Sequence, residues 1–272
     1  MAENSNEMSF LDHLEELRWH LIRSTLAIVI IASVAFIAKD FIFDTILFGP
    51  KKIDFFTYEL FCNLSKSLGQ GNSLCIDEMP FRIQSRTMSG QFSAHLWTSL
   101  TAGFIIAFPY ILFEFWRFIS PGLHESERKN ARGFIFIASI LFFIGVLFGY
   151  YIVTPLSINF LGNYTVSSEV FNDFDLSSYI SLLRASVLSS GLIFELPILM
   201  YFFTKIGLVT PMFLKNNRKF AIVIVLILSA VITPPDIASQ VIVTIPILIL
   251  YEVSIFISKV VYNRQQKELK NV

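Results

Sequence analysis

The stretch Gly133–Val153 reads GFIFIASILFFIGVLFGYYIV, twenty-one residues without a charged side chain. At 1.5 Å per residue, an α-helix of this length covers the roughly 30 Å hydrocarbon core of a bilayer. Of all 272 residues, 54% are hydrophobic and only 15% are charged, and the mean hydropathy is +0.63. A water-soluble core cannot bury so much apolar surface. The sequence therefore predicts an all-α protein that spans a membrane.

Five further apolar runs bring the predicted number of transmembrane helices to six, so the two termini lie on the same side. These runs are Leu21–Ala38, Phe92–Phe115, Tyr179–Phe203, Phe220–Ile232 and Ser239–Ile257. Lys and Arg occur in the loops after the second and fourth runs and in the tail, whereas residues 155–183 contain none. The positive-inside rule therefore predicts that both termini face the cytoplasm.

The last two spans are predicted to be short. Phe220–Ile232 provides only about 20 Å of helix between its flanking charges and prolines. Two interpretations remain open for this helix. The bilayer is thinned or penetrated by water beside it, or the helix is longer and its ends reach the interface.

Cys62 and Cys75 both lie in the long loop of residues 39–88, between the first two spans. The topology puts this loop outside the cell, where an oxidising compartment favours a disulfide that closes the loop. Two free buried thiols are the alternative. No His or further Cys lies near them in the sequence, so no zinc site is predicted.

Glu195 is an ionisable residue near the middle of the fourth apolar run. A charge at that depth costs about 2.5–3.5 kcal/mol on insertion scales, so such residues usually have a function. Arg184 is about 16 Å away along the same helix and cannot neutralise Glu195. The alternative is a protonated carboxyl group that is bonded to a neighbouring helix.

Two cytoplasmic segments carry carboxylates. An N-cap pattern at Ser9 and apolar residues at helical spacing predict a short amphipathic helix within residues 1–20, with Glu16 and Arg18 on its polar side. After the second span, a Pro-Gly turn precedes a charged stretch that includes Glu127 and Arg128. Carboxylates in these two places suit a ligand with guanidinium groups, because Arg binds carboxylate through two parallel hydrogen bonds. An ordinary solvated surface is the alternative.

The sequence contains no nucleophile motif, metal-ligand cluster or phosphate-binding loop, so it predicts neither an enzyme nor a cofactor. The net charge is zero and basic residues come in small groups, which argues against a nucleic-acid partner. Two classes remain: a membrane platform that binds proteins, or a small-solute transporter that uses Glu195 at the midplane. A transporter is expected to contain internal repeats, and none is visible.

Four separated motifs resemble the TatC family, the multispanning component of the twin-arginine protein translocase. They are His13–Arg18 (HLEELR), Phe118–Leu123 (FISPGL) followed by Glu127–Lys129, Phe194–Pro197 (FELP), and Thr233–Asp236 (TPPD) followed by Gln240. The motifs cover nearly the whole chain. The resemblance implies a six-helix, glove-shaped receptor with short fifth and sixth helices, organised as one domain over residues 1–272 with a cytoplasmic tail from residue 259.

The resemblance also implies where the signal peptide binds. Glu16 and Glu127 match the acidic positions that accept the paired arginines, and Arg18 and Arg128 would orient those carboxylates. Leu17 and Phe118 belong to the same motifs and would complete the site. His20 and His124 depart from the family pattern, which more often has a basic residue and a Tyr there.

Further implied roles concern the membrane and the outer side. Glu195 and Pro197, with Asp236 and Gln240, would contact the transmembrane helix of the single-span partners TatA and TatB. Gly49 and Pro50 match a turn of the periplasmic cap. The implied function is export of folded precursors across the bacterial inner membrane, driven by the proton-motive force, with assembly of TatA-type subunits and self-association, and without chemistry on the substrate.

Overall fold

The computed structural model describes residues 10–67, 69, 71, 75–76, 78–120, 131–233 and 236–270. The α-helices in these ranges are α1 (Phe10–Ile37), α2 (Phe56–Ser67), α3 (Gly90–Ile119), α4 (Ala131–Phe148), α5 (Thr154–Asn163), α6 (Leu176–Phe194), α7 (Leu196–Lys205), α8 (Pro211–Asn216), α9 (Arg218–Ile232) and α10 (Ile237–Lys270). Two π-helical turns, Phe41–Leu47 and Gly149–Val153, a 3₁₀ turn, Gly49–Lys51, and two strands, β1 (Arg82–Gln84) and β2 (Asp173–Asp175), complete the described elements.

The prediction of an all-α membrane protein is confirmed. Five helical segments in the described ranges are long and apolar enough to cross a bilayer. They are Leu14–Ile37, Gly90–Ile119, Gly133–Asn163, Leu176–Lys205 and Ser239–Lys267. The remaining predicted span is α9, which has only 15 residues. Its length of about 22 Å makes it shorter than the hydrocarbon core, as the sequence predicts.

The predicted short sixth helix is wrong, because α10 has 34 residues. The polar tail from residue 259 contains several good helix formers and neither Gly nor Pro, so nothing in it stops the helix. The tail is also fastened to its neighbour: Nε2 of Gln265 donates to the Lys205 carbonyl over 2.8 Å.

Two other boundaries differ from the prediction. α1 runs without interruption from Phe10 to Ile37, so the amphipathic helix is the first part of the first span. The predicted N-cap Ser9 lies outside the described residues. The third span continues to Asn163 instead of ending at Val153. Pro155 permits this because it lies in the first turn of α5, where a proline sacrifices no hydrogen bond.

The described residues form two compact units, one from the ranges Met1–Lys39 and Phe92–Ile140, the other from Asp40–Gln91 and Leu141–Val272. In the first unit, α1 and α3 approach closely at Gly103. A Cβ atom on Gly103 would lie 2.7 Å from the Ile28 carbonyl oxygen. Farther along, the His95 ring stacks on Phe36 with centroids 3.8 Å apart, and its Nε2 lies 2.9 Å from the Phe36 carbonyl oxygen.

In the second unit, α6 packs against the end of α4 and the π-helical turn that follows it. A Cβ atom on Gly145 would lie 2.6 Å from the Ser190 carbonyl oxygen, and one on Gly149 would lie 2.7 Å from that of Ser186. We call Gly145, Gly149, Ser186 and Ser190 the glycine crossing. Such small residues at four-residue spacing let membrane helices pack backbone to backbone.

In the second unit, three tyrosines hold residues 46–50. The hydroxyl of Tyr150 donates to the Ile46 carbonyl over 2.8 Å, that of Tyr179 to Leu47 over 2.7 Å, and that of Tyr58 to Pro50 over 2.7 Å. Burial raises the pKa of the Tyr58 hydroxyl well above its ordinary value, so this group stays a donor at physiological pH. The three bonds hold residues 46–50 in one conformation.

The long loop between the first two spans is folded. A disulfide joins Cys62 of α2 to Cys75, so the alternative of two free thiols is wrong. β1 pairs in parallel with β2, with Arg82 opposite Asp173, and the guanidinium of Arg86 donates to the Asp173 carbonyl over 2.9 Å. Residues 82–86 and residues 173–175 are therefore tied to each other.

α7, α9 and α10 pack in the same unit around buried side chains. Hydroxyl pairs join Thr204 to Ser258 and Ser229 to Thr244, each over 2.8 Å. The apolar core beside them consists of Val153, Val225, Val243 and Ile247.

Candidate functional site

Glu114 of α3 is a carboxylate that is only 2% exposed. Nδ1 of His20 in α1 lies 2.5 Å from Oε2 of Glu114, a hydrogen bond in which the ring N–H donates. Nη1 of Arg23 lies 3.9 Å from the same oxygen. A buried carboxylate is tolerated when cations and hydrogen bonds compensate it. We call Glu114, His20, Arg23 and Phe118 the Glu114 cluster.

Two predicted site residues border or belong to this cluster. Glu16 lies four residues before His20, on the same face of α1, and is half-buried. Phe118 lies one turn after Glu114, and its ring meets the His20 ring edge-to-face with centroids 6.1 Å apart. His20 therefore links the α1 face that carries Glu16 to the α3 face that carries Phe118.

The other predicted residues of the signal-binding set have different surroundings. Leu17 is half-buried, whereas Arg18 is exposed and its guanidinium lies 5.7 Å from the centre of the Trp19 ring. Glu127 and Arg128 lie outside the described residues.

Glu195 is the link between α6 and α7, and it is 8% exposed. Its carbonyl accepts from the backbone N–H groups of Ile198 and Leu199, at 3.0 and 2.9 Å. Within the described residues, its Oε1 accepts no hydrogen bond. The break in the helix follows from Pro197, which is buried in the first turn of α7 and has no N–H to bond back along the chain. Glu195 thus carries a buried oxygen with unused capacity to accept.

Asp236 and Gln240 both organise the start of α10. Oδ2 of Asp236 accepts from the backbone N–H of Ser239 over 2.8 Å, which makes it an N-cap. Nε2 of Gln240 donates to the Leu226 carbonyl of α9 over 3.2 Å. With the Ser229–Thr244 hydroxyl pair, these contacts form a polar seam between α9 and α10.

Gly49 and Pro50 are buried in the 3₁₀ turn that the tyrosines hold. A Cβ atom on Gly49 would lie 3.0 Å from the Tyr150 hydroxyl oxygen, so the turn packs closely against that ring. These two residues and the Cys62–Cys75 disulfide all belong to the range Asp40–Gln91 of the second unit.

Sequence reasoning missed Glu114 and Arg23 and noted His20 only as a departure from the family pattern. Glu114 is the last residue but one of the predicted run Phe92–Phe115, where a charge costs less than at the middle of a span, so the sequence carried only a weak signal for it. Its partner is 94 residues away in the chain, which no local pattern reveals. In the part of the chain that the structure describes, no group of three or more His, Cys, Asp or Glu side chains could hold a metal ion.

Comparison with known proteins extends these observations. The family model described as Sec-independent protein translocase protein (TatC) matches residues 12–246. The chain is 48% identical to Sec-independent protein translocase protein TatC of Blattabacterium sp. subsp. Periplaneta americana, over 95% of this chain and 97% of the relative. It is 32% identical to TatCy of Bacillus subtilis, over 96% of this chain and 93% of that one.

A crystal structure described as the twin arginine translocase receptor TatC also matches. It superposes with a TM-score of 0.67 and 34% sequence identity, and the match covers 92% of this chain and 99% of that one. The identity is high enough for the likeness to indicate common descent as well as a common fold. The chain belongs to the TatC family, whose members are components of the Sec-independent protein translocase and not enzymes.

Proposed function

We propose that this protein is the receptor component of a twin-arginine translocase, which binds the twin-arginine signal peptides of folded precursors at the cytoplasmic face. The observation that carries the proposal is the half-buried Glu16 on the α1 face that the His20–Glu114 pair braces, with Phe118 beside that pair. The solved relative that bears the name of a twin arginine translocase receptor supports the same function.

The chemistry of the signal explains why carboxylates would select arginine. A guanidinium group is planar and donates two parallel hydrogen bonds to one carboxylate, whereas the ammonium of lysine acts as a point charge. Glu16 and Glu127 would each accept one arginine of the pair. Arg18 and Arg128 would orient these carboxylates, and Leu17 and Phe118 would contact apolar side chains of the signal.

Glu195 is proposed to contact the transmembrane helix of TatA-type and TatB-type partners. Its Oε1 is buried and accepts no hydrogen bond from the described residues, so a polar donor on a partner helix would gain a bond there. Pro197 breaks the helix at this position, and Asp236 and Gln240 would belong to the same partner surface. Export would draw its energy from the proton-motive force.

The proposed location is the bacterial inner membrane, with both termini in the cytoplasm. The distribution of Lys and Arg supports this orientation, because the loops after α3 and α7 contain them and residues 155–183 do not. Residues 1–272 would act as one functional domain, which associates with further copies of itself and with lipid.

Site-specific crosslinking tests the receptor proposal. A photo-reactive residue at position 127 of the purified full chain is presented with a twin-arginine signal peptide and with a matched Lys-Lys peptide. We expect a crosslink to the twin-arginine peptide that is lost with Lys-Lys. A well-folded protein that crosslinks neither peptide would contradict the proposal and favour the transporter alternative centred on Glu195.

A further inference from the structure

We infer that Glu114 is a positioning residue for signal recognition: through His20 it fixes the α1 face that carries Glu16, and so sets the preference for arginine over lysine. This inference rests on the proposed function. It adds to the signal-binding set a residue that does not touch the signal itself.

Glu114 is too deeply buried to bind a peptide directly. It is 2% exposed, and its Oε2 already accepts from His20 over 2.5 Å, with the Arg23 guanidinium at 3.9 Å. Its influence on a bound peptide must therefore pass through the residues that it holds. Of the two α1 residues near this carboxylate, His20 makes the closer contact and Arg23 the longer one.

His20 is held from two positions on α3 that are one turn apart. Glu114 binds its Nδ1, and the ring of Phe118 packs edge-to-face against its ring. Two fixed contacts on one side chain determine both how far α1 can slide along α3 and how far it can rotate. A rotation of α1 by one residue, about 100°, would break both contacts.

Glu16 is placed by this constraint because it lies one turn from His20 on the same face of α1. The cluster resists rearrangement, since separating His20 from Glu114 would take from a buried carboxylate its 2.5 Å partner and leave it the more distant Arg23 and the Tyr110 hydroxyl. The orientation of Glu16 is therefore set by a contact that lies deeper in the helix pair.

A fixed orientation matters for arginine in particular. Two parallel hydrogen bonds form only when the carboxylate plane matches the guanidinium plane, whereas an ammonium can donate to a carboxylate from many directions. Loosening α1 should therefore weaken the binding of a twin-arginine peptide far more than that of a Lys-Lys peptide. A general loss of folded protein would weaken the binding of both peptides equally.

The test uses the full chain in lipid nanodiscs and measures Kd for fluorescent twin-arginine and Lys-Lys signal peptides. For Glu114→Gln we expect the twin-arginine Kd to rise about tenfold and the Lys-Lys Kd to change by less than about twofold. Glu15→Gln, which neutralises an exposed carboxylate of the same helix, is the matched control and should leave both values unchanged. Glu16→Gln should raise the twin-arginine Kd by a smaller factor in the Glu114→Gln variant than in the unmodified chain, because both changes act on the same contact.

The outcomes separate this inference from the function on which it rests. An unmodified protein that binds both peptides equally overturns the proposed function before any variant is made. If the unmodified protein prefers twin arginine, an unchanged preference in folded Glu114→Gln overturns the inference, as does an equal loss for both peptides. If Glu114→Gln does not fold, His20→Gln and His20→Arg decide. The inference predicts that His20→Gln loses the preference for the twin-arginine peptide and that His20→Arg keeps it. Equal behaviour of the two variants overturns the inference.

Discussion

The α1–α3 contact and the α4–α6 contact both bring helix backbones close together, but they differ in what specifies the geometry. Each uses glycine, with Gly103 in the first and Gly145 and Gly149 in the second. The first contact adds a buried hydrogen bond between His20 and Glu114, whereas the second adds the backbone and small side chains of Ser186 and Ser190. A glycine permits close approach, and a directional pair determines how the helices are aligned.

The two contacts are therefore vulnerable to different kinds of substitution. A contact built on shape is sensitive to added volume and tolerates changes in charge. A contact built on a buried pair is sensitive to the loss of one partner, because the remaining charge has no water to solvate it.

The largest effect is expected for His20→Leu. This change leaves the buried Glu114 with Arg23 at 3.9 Å and the Tyr110 hydroxyl, and removing one partner of a buried pair costs about 3 kcal/mol. The measurement is the thermal unfolding midpoint in detergent. Glu114→Leu should be milder, since it leaves a histidine that can stay neutral. Equal destabilisation by the two changes would contradict the importance of the charge.

The glycine crossing should respond to volume. In Gly149→Leu, a Cβ that would lie 2.7 Å from the Ser186 carbonyl oxygen must push α6 away, which costs about 2 kcal/mol. Gly133→Leu is a matched control, because a Cβ there meets nothing within 4 Å. Unfolding of both variants in the same detergent checks the prediction. Similar stability of the two would show that the crossing does not depend on close approach.

Removing one hydroxyl from the tyrosines around residues 46–50 tests a directional contact in the same unit as the glycine crossing. Tyr179→Phe keeps the ring but leaves the Leu47 carbonyl without its 2.7 Å donor, which costs about 1 kcal/mol. Tyr164→Phe, in an exposed tyrosine, is the control and should have no effect. The readout is unfolding, with proteolysis near residues 46–50 as a local probe. Unchanged protection in Tyr179→Phe would mean that shape alone holds this segment.

The smallest effect concerns the exposed N-cap of α6. The hydroxyl and backbone N–H of Ser177 donate to Asp175, and these bonds lower the pKa of that carboxyl. Because the folded pKa lies below the unfolded one, the stability that it contributes is present above the unfolded pKa. That stability is lost as the pH falls through the folded pKa. Asp175→Asn keeps a cap and should remove this small dependence, as unfolding midpoints between about pH 6 and pH 3 would reveal.

Most of the helical architecture followed from local sequence. The runs that predicted spans became helices in every case, and the break at Glu195 coincided with Pro197. The pairing of Cys62 with Cys75 was expected from their position in an outer loop. The ends of the helices were less predictable. Pro155 did not end the third span, and the polar tail continued α10 through contacts such as the Gln265 bond to Lys205.

The candidate site was predictable only in part. Glu16 and Phe118 could be named from motifs, but their common neighbour His20 and the buried Glu114 could not, because that contact joins residues 94 positions apart. The roles of Glu127, Arg128 and Glu195 in binding stay predictions, to be tested by the crosslinking and peptide-binding experiments described above.

The sequence alone determined that the chain lies in a membrane and which residues form helices, because hydropathy and helical hydrogen bonding are properties of contiguous stretches. The tertiary structure decided which helix faces meet. Gly145 opposite Ser190 and His20 opposite Glu114 depend on the register between helices from distant parts of the chain. That register minimises buried unpaired charge and empty volume together, a condition that only the assembled helices can satisfy.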